Sequence, residues 1–358
     1  MAGARPAWGW VLGAALGAIL VAAGLGFAAG TRQTLVEGRS RHLRAQLLMV
    51  AVAFALFTPA LALGTVFGLP VRGYVFPIGV ALVAGALIFG IGMQIAGACG
   101  SGTLAAAGTG SARFALTLVA MVVGAGLAAH RSDLWTGLPR LAPVGLVDTF
   151  GLAGGVALQG AGIGAVWIGL LALERRRRGA IEPLFRPSRP GNLPLGWGAV
   201  LIGLVSFATL LALGRPWSLS QPLALWGSWS VEALGLDDPT FWAFWEDPSR
   251  VDLYQRPFLA DPSSAMNLGL VLGAMVASGL MLRFTPRWTI DPRQALGAIL
   301  GGLLMGIGAV LATGCNIGAF LAGTASGSLH GWVWLLAAMA GGAIGVWLRP
   351  LFGLSRRG

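Results

Sequence analysis

Apolar residues fall into nine blocks along the chain, at approximately 8–29, 46–67, 75–97, 112–130, 150–173, 196–214, 265–284, 293–313 and 328–348. Each block approaches the roughly 20 residues that a helix needs to cross a hydrocarbon core about 30 Å thick. Polar residues collect between the blocks. A tenth apolar piece, SLSQPLALWGSWSVEALG at 218–235, is too short to span and is expected to be interfacial or re-entrant. Two blocks end oddly. The third runs into AGACGSGTLAAAGTG at 96–110 and the eighth into ATGCNIGAFLAGTAS at 312–326, each a glycine-cysteine step followed by small residues. The pattern predicts an all-α polytopic membrane protein of about nine transmembrane helices, with short re-entrant half-helices after each cysteine, at about 101–109 and 316–325.

Composition agrees with the pattern. The chain of 358 residues is 56% hydrophobic and 10% charged, against roughly 25% charged in soluble domains. The net charge of +11 does not point to a nucleic-acid partner, because the basic residues, all arginine, lie between the apolar blocks. With the N-terminus outside, 17 of the 24 arginines fall in inner loops and tails, including ERRRRGAIEPLFRPSR at 174–189. Nine of the 13 acidic residues then fall outside. Arginine excess marks the cytoplasmic side, so a bacterial inner-membrane protein with an outer N-terminus and an inner C-terminus is expected. The first block lacks a cleavage site and reads as a retained helix.

Aligning Cys99 with Cys315 also pairs Gly85 with Gly301, Gly90-Ile91-Gly92 with Gly306-Ile307-Gly308, Ala96 with Ala312 and Gly102 with Gly318. On the expected topology these copies cross the membrane in opposite directions. One membrane domain is therefore expected to hold two inverted halves, 1–190 with the Cys99 motif and 191–358 with the Cys315 motif. Such repeats commonly meet at a substrate site near the midplane. A half-helix start offers unpartnered N–H groups and a partial positive charge of about +0.5, so two of them facing each other would attract an anion without a formal charge. The competing reading is structural. Small residues at spacing four pack membrane helices, and free cysteine is often buried as a small hydrophobe.

At GIGMQIAGACGSGTL (90–104) and GIGAVLATGCNIGAF (306–320), supported by WSLSQPLALWG (217–227) and DPSSAMNLGLVLGAM (261–275), the chain resembles the YeeE/YedE membrane proteins, some of which take up thiosulfate. The resemblance implies a narrow path in which cysteine S–H groups contact the substrate. Carried over, Cys99 and Cys315 would be the central contacts, with Gly100, Gly102, Gly314, Asn316 and Gly318 around them. A dianion at membrane depth is costly, and conduction needs binding weak enough to release. Thiols and helix N-termini meet both demands. The family's third cysteine position, in the stretch GLGFAAGTR (24–32), holds Gly26 instead. Either two cysteines suffice, or a different sulfur or selenium species is carried, or transport is slower. A cytoplasmic sulfur-carrier protein is a further partner, for which the Arg175–Arg178 run offers a docking place beside its role towards anionic lipid.

Asn316 reads either as a pathway amide or as a cap for the following half-helix. Gln94 and Gln159 inside apolar blocks are expected to bond between helices. Thr103 and Thr313 are pathway hydroxyls or bond back to their own helices. His42, His130 and His330 are expected at the interface, as are Trp8, Trp10, Trp332 and Trp347. An intramembrane thiol enzyme with Cys315 as nucleophile and His330 as base is the alternative from another class, and it requires that pair within hydrogen-bond reach. A purely structural subunit is the third reading. Neither a cofactor nor a metal is expected, since two cysteines make an incomplete ligand set.

Overall fold

The computed structural model describes residues 5–247, 250–257 and 260–357. Twelve principal helices follow in order: α1 (Arg5–Ala23), α2 (Phe27–Arg32), α3 (Arg41–Leu63), α4 (Val80–Ala96), α5 (Gly100–Gly108), α6 (Ala112–His130), α7 (Leu146–Arg178), α8 (Leu195–Leu213), α9 (Ser220–Ala233), α10 (Pro262–Leu280), α11 (Pro292–Leu311) and α12 (Leu329–Leu348). A π-helical turn, Gln33–Glu37, extends α2, and a longer one, Asn316–Ala322, follows α11 and runs into Gly323–Ala325. Among the described residues the strands amount to one hairpin, Thr65–Val66 with Leu69–Pro70. Among the described residues, nine segments are long and apolar enough to cross a membrane, and they coincide with the nine expected blocks.

The helix ends follow local chemistry. Asp261 and Asp291 cap α10 and α11 by accepting from backbone N–H groups, and each is followed by a proline at the first helical position, where the missing N–H is not needed. The helices then pack on glycine. A β-carbon at Gly13 or Gly17 of α1 would overlap the carbonyl oxygens of Met266 or Leu270 of α10, and one at Gly273 would overlap that of Ala14. The matched glycines of the two cysteine blocks pack on one another: a β-carbon at Gly92 would lie 2.7 Å from the Gly301 oxygen, and one at Gly85 2.7 Å from the Gly308 oxygen. Lipid is as apolar as leucine, so close backbone approach supplies much of the association energy. The packing reading of these glycines therefore holds within α4 and α11.

α7 is the exception. Only 6% of its most apolar stretch is fully buried, with Ile163, Val166, Trp167 and Leu170 partly buried against the core, as expected of a peripheral helix whose outer side meets lipid. It is broken at Gly151 (φ 72°, ψ 169°) and tethered at its far end. There Glu174, fully buried, takes Arg44 at 2.8 Å and the Ser40 hydroxyl at 2.7 Å. Two sets of loop contacts define two ends of the bundle. Ser111 bridges Arg287, Leu193 N–H donates to the Ala22 oxygen, and Arg39 pairs with Glu182 at 2.7 Å on what we call the link face. Gly79 bridges Arg140, Gly145 bridges Ser328, and Arg72 N–H donates to the Gly214 oxygen on the opposite, vestibule face.

Candidate functional site: two cysteine breaks beneath an arginine-lined vestibule

Four apolar helices end at a residue with positive φ, and each then turns into a shorter helical piece. These residues are Gly24 (63°) after α1, Gly97 (96°) after α4, Gly214 (74°) after α8 and Thr313 (56°) after α11. Glycine adopts this backbone without cost, whereas a β-branched threonine there is strained. After Gly97 the chain runs extended through Cys99 (φ −80°, ψ 178°), and α5 begins at Gly100. After Thr313 it runs through Cys315 (φ −88°, ψ −166°) into Asn316. The half-helices were therefore expected in the right places, but the second one is a π-turn for seven residues rather than an α-helix. The 218–235 piece becomes α9, whose first half, Ser220 to Ser228, is buried mostly against the bundle.

The breaks converge. A β-carbon on Gly100 would lie 3.6 Å from Cys315 Sγ, 3.3 Å from Leu219 Cδ2 and 3.6 Å from Met121 Cε. The start of α5 thus faces the thiol of the other cysteine break. Cys99 lies beside it, with its Sγ 3.7 Å from Ser101 Oγ and 3.4 Å from the β-position of Gly102. Gly318 faces Ser218, whose Oγ is 3.8 Å from its β-position. The first intrahelical bond of α5 is Thr103 N–H to Cys99 O at 2.8 Å, so the N–H groups before it have no intrahelical acceptor. At the other break Cys315 Sγ accepts from Ile317 N–H at 3.4 Å. Both thiols are buried, at 2% and 0% exposure, with Leu219 and Met121 packed alongside; the site is closed.

Of the other expected residues, Gly314 serves the tight loop. A β-carbon on it would sit 2.5 Å from Ala319 N, and its carbonyl accepts from Trp334 Nε1 at 3.1 Å. Asn316 is buried with its Oδ1 unpartnered, and the cap position of its turn belongs to Cys315. Gly26 precedes α2, and the nearest atom to a β-carbon there is Ala29 Cβ at 3.8 Å, so a β-carbon fits in ordinary contact. Phe27, next to it, packs on Phe320 and Trp334 with centroids 6.0 and 5.8 Å apart. This aromatic group ties the first break to the Cys315 break. The three aromatics lie in apolar stretches, and no local sequence pattern announces that they pack together.

Above the breaks lies a cavity of about 990 Å³ that opens on the vestibule face. Its wall carries Arg5, Arg72, Arg140, Arg215 and Arg250 against the acids Glu246 and Asp247, and its floor includes Ser218, Ser220 and Thr313. Arg215 donates to Gln221 Oε1 and Ser263 Oγ, both at 3.0 Å. Burial pushes the Tyr74 phenol above its usual range, and Ser218 is its hydrogen-bond partner. The arginines are scattered over five separate segments of sequence, so no local pattern announces the cluster.

Gln94 and Gln159 do bond between helices, donating to Ala28 O at 2.9 Å and Thr324 O at 2.8 Å. Thr103 Oγ1 is buried without a partner, and Thr313 Oγ1 donates to Ala312 O at 2.7 Å. His130 is exposed beside Asp237 at 3.3 Å. His330 departs from expectation: it is fully buried, with Nδ1 2.7 Å from Ser328 Oγ and its ring 5.3 Å from Phe76. It packs under the loop 73–76, where the Ser326 hydroxyl also accepts from Tyr74 N–H. Trp8 and Trp347 are exposed as a membrane belt requires, whereas Trp332 is held by Gln159 Oε1 at 3.1 Å.

A family model described as sulphur transport matches residues 22–344. The chain belongs to the sulphur-transport family. Membership makes it a membrane transport protein rather than an enzyme, which disposes of the Cys315–His330 alternative. It is 27% identical to the thiosulfate transporter TsuA of Escherichia coli, over 95% of this chain and 93% of that protein. Over 66 residues, 18% of this chain and 20% of the relative, it is 47% identical to TsuA of Spirochaeta thermophila. It is also 31% identical to the probable transporter YedE of Escherichia coli, over 43% of this chain and 36% of that protein.

Proposed function

We propose that this member takes up a small sulfur-containing anion, thiosulfate first, across a bacterial inner membrane from the vestibule face to the link face. The observation that carries the reading is the approach of Cys315 Sγ to the start of α5, directly under the arginine-lined cavity. Five guanidinium groups against Glu246, Asp247 and Asp261, the last paired with Arg215 at 3.8 Å, raise the local concentration of an anion. Below them the path holds no formal charge. A dianion there meets two S–H donors and the open N–H groups of α5. These contacts offset part of its desolvation without holding it as an arginine would. The thiols suit a terminal sulfur, since a soft, weak donor matches a soft acceptor.

The arginine excess of the link face makes that face cytoplasmic, with the N-terminus outside and the C-terminus inside. An organisation in two inverted halves, 1–190 and 191–358, is supported by the positive φ at Gly97 and Thr313, residues that occupy equivalent places in the two cysteine blocks. A cytoplasmic sulfur-carrier protein would meet the exposed Arg175–Arg178 run. Gly26 favours a second reading, another sulfur or selenium species, because the first break lacks a thiol yet admits a β-carbon in ordinary contact.

The test is growth of a sulfur-uptake-deficient bacterium on thiosulfate as sole sulfur source, expressing this chain or its Cys99→Ala, Cys315→Ala or Gly26→Cys variant. Rescue by wild type and failure of both alanine variants is expected. No rescue by membrane-inserted wild type would remove thiosulfate as the substrate, and a gain from Gly26→Cys alone would point to the vacant thiol position.

A further inference from the structure

The last turn of α4, Gln94 to Gly97, is where the chain leaves the link face for Cys99, and arginines gather around it. Arg349, 6% exposed, donates from Nη1 to Gln94 O and from Nε to Ser355 O, both at 2.6 Å. Arg113 Nη2 lies 2.9 Å from the β-position of Gly97. Arg349 is within electrostatic reach of both Arg113 and Arg32, the last residue of α2. Among the described residues, the acidic side chain acting on this trio is Glu37, opposite Arg32; none acts on Arg113 or Arg349. Thr31, buried beside Arg32, has an unpartnered hydroxyl, and Gln94 Oε1 is unpartnered as well.

Buried cations are normally paired. The carbonyl end of α4 carries a partial charge of only about −0.5, and Glu37 contributes one negative charge. Glu37 is shared with Arg39, which it meets at 3.6 Å, so the three guanidinium groups keep a net positive excess of more than one charge, which suits an anion. Arg349 and Arg113 meet the chain at Gln94 and Gly97, five and two positions before Cys99, on the side away from the vestibule. We propose that Arg32, Arg113 and Arg349 form a second anion site, on the link face, that receives the transported dianion as it leaves the cysteine constriction. This inference rests on the uptake reading above. The path then has arginines at both mouths and none in its neck, and the inner cluster lowers the cost of emerging from it. An anionic lipid headgroup presents the same chemistry and is the other source of an occupant.

The experiment is thiosulfate exchange in proteoliposomes of neutral phosphatidylcholine, with KM measured separately from each face of oriented protein. Arg113→Gln and Arg32→Gln should each raise KM at the link face about tenfold, the value of one charge-assisted contact, and change KM at the vestibule face less than about twofold. Should Arg113→Gln fail to fold, Arg113→Lys keeps the charge but loses the planar fork, and it should still raise link-face KM about threefold. Unchanged link-face KM in folded variants overturns the inner site and leaves the uptake reading standing. An effect that appears only when phosphatidylglycerol is added overturns it too, and assigns the cluster to lipid. No exchange by wild type from either face overturns the uptake reading and the inner site with it.

Discussion

The two cysteine breaks occupy equivalent places in the sequence, yet they are built differently. At the first, glycine holds the left-handed turn, an ordinary nine-residue helix follows, and the polar neighbour of the Cys99 thiol is the Ser101 hydroxyl at 3.7 Å. At the second, a threonine is forced into the same left-handed region, a π-turn follows, and backbone N–H groups of that turn approach the Cys315 thiol. Strain and π-turns persist where surrounding structure imposes them, and they concentrate at functional sites. Matched residues in a duplicated motif therefore need not do equal work. The Cys315 thiol is held by its own backbone and faces the start of α5, while the Cys99 thiol has no such backbone bond among the described residues.

The comparison can be broken first by truncating each thiol. Cys315→Ala should cost about 2–3 kcal/mol of transition-state stabilisation for transport, a thirty- to hundredfold fall in uptake rate, and Cys99→Ala about tenfold. Equal losses, read as initial rates of radiolabelled thiosulfate uptake, would erase the asymmetry. Backbone exchange comes next. Gly97→Thr puts a β-branched residue at φ 96° and a β-carbon 2.9 Å from Arg113 Nη2, and thermal unfolding in detergent should show a loss of about 2 kcal/mol.

A narrower test adds bulk at the neck. Gly100→Val should reduce uptake about tenfold by crowding Cys315 Sγ and Leu219, whereas Gly318→Ala, whose β-carbon would meet Ser218 Oγ at an ordinary 3.8 Å, should reduce it less than about twofold. The smallest effect is relief of strain. Thr313→Gly should raise stability by about 1 kcal/mol, provided the hydroxyl bond to Ala312 O is worth less than the strain. A drop in melting temperature would show that the threonine is better satisfied than its φ of 56° suggests.

Much of the fold was legible because lipid makes simple demands. Nine apolar runs of spanning length specified nine helices, and the glycine-cysteine steps at 97–99 and 314–315 marked where two of them stop short. The other two breaks, at Gly24 and Gly214, left weaker traces: a GLG triplet and an Arg-Pro step in otherwise ordinary sequence. His330 was misplaced for a physical reason. A histidine at a span end looks interfacial, but the loop 73–76, more than 250 positions away, folds over it and lays Phe76 against its ring, while Ser328 of its own segment holds Nδ1. Gln94 was anticipated as an inter-helix bond, yet its acceptor, the Ala28 oxygen, exists only because α2 restarts after the first break.

What the sequence determined by itself was the class of solvent, the number of crossings, the placement of both half-helices and the pairing of Cys99 with Cys315. Each follows from local hydrophobicity or from residues that permit a particular backbone. Tertiary structure alone decided that Cys315 faces Gly100, that Phe27, Phe320 and Trp334 pack together between the breaks, and that arginines from distant segments gather in the vestibule and around the end of α4. Those facts depend on helix packing distances set by glycine seams, and a charge cluster assembled from residues hundreds of positions apart has no local signature to read.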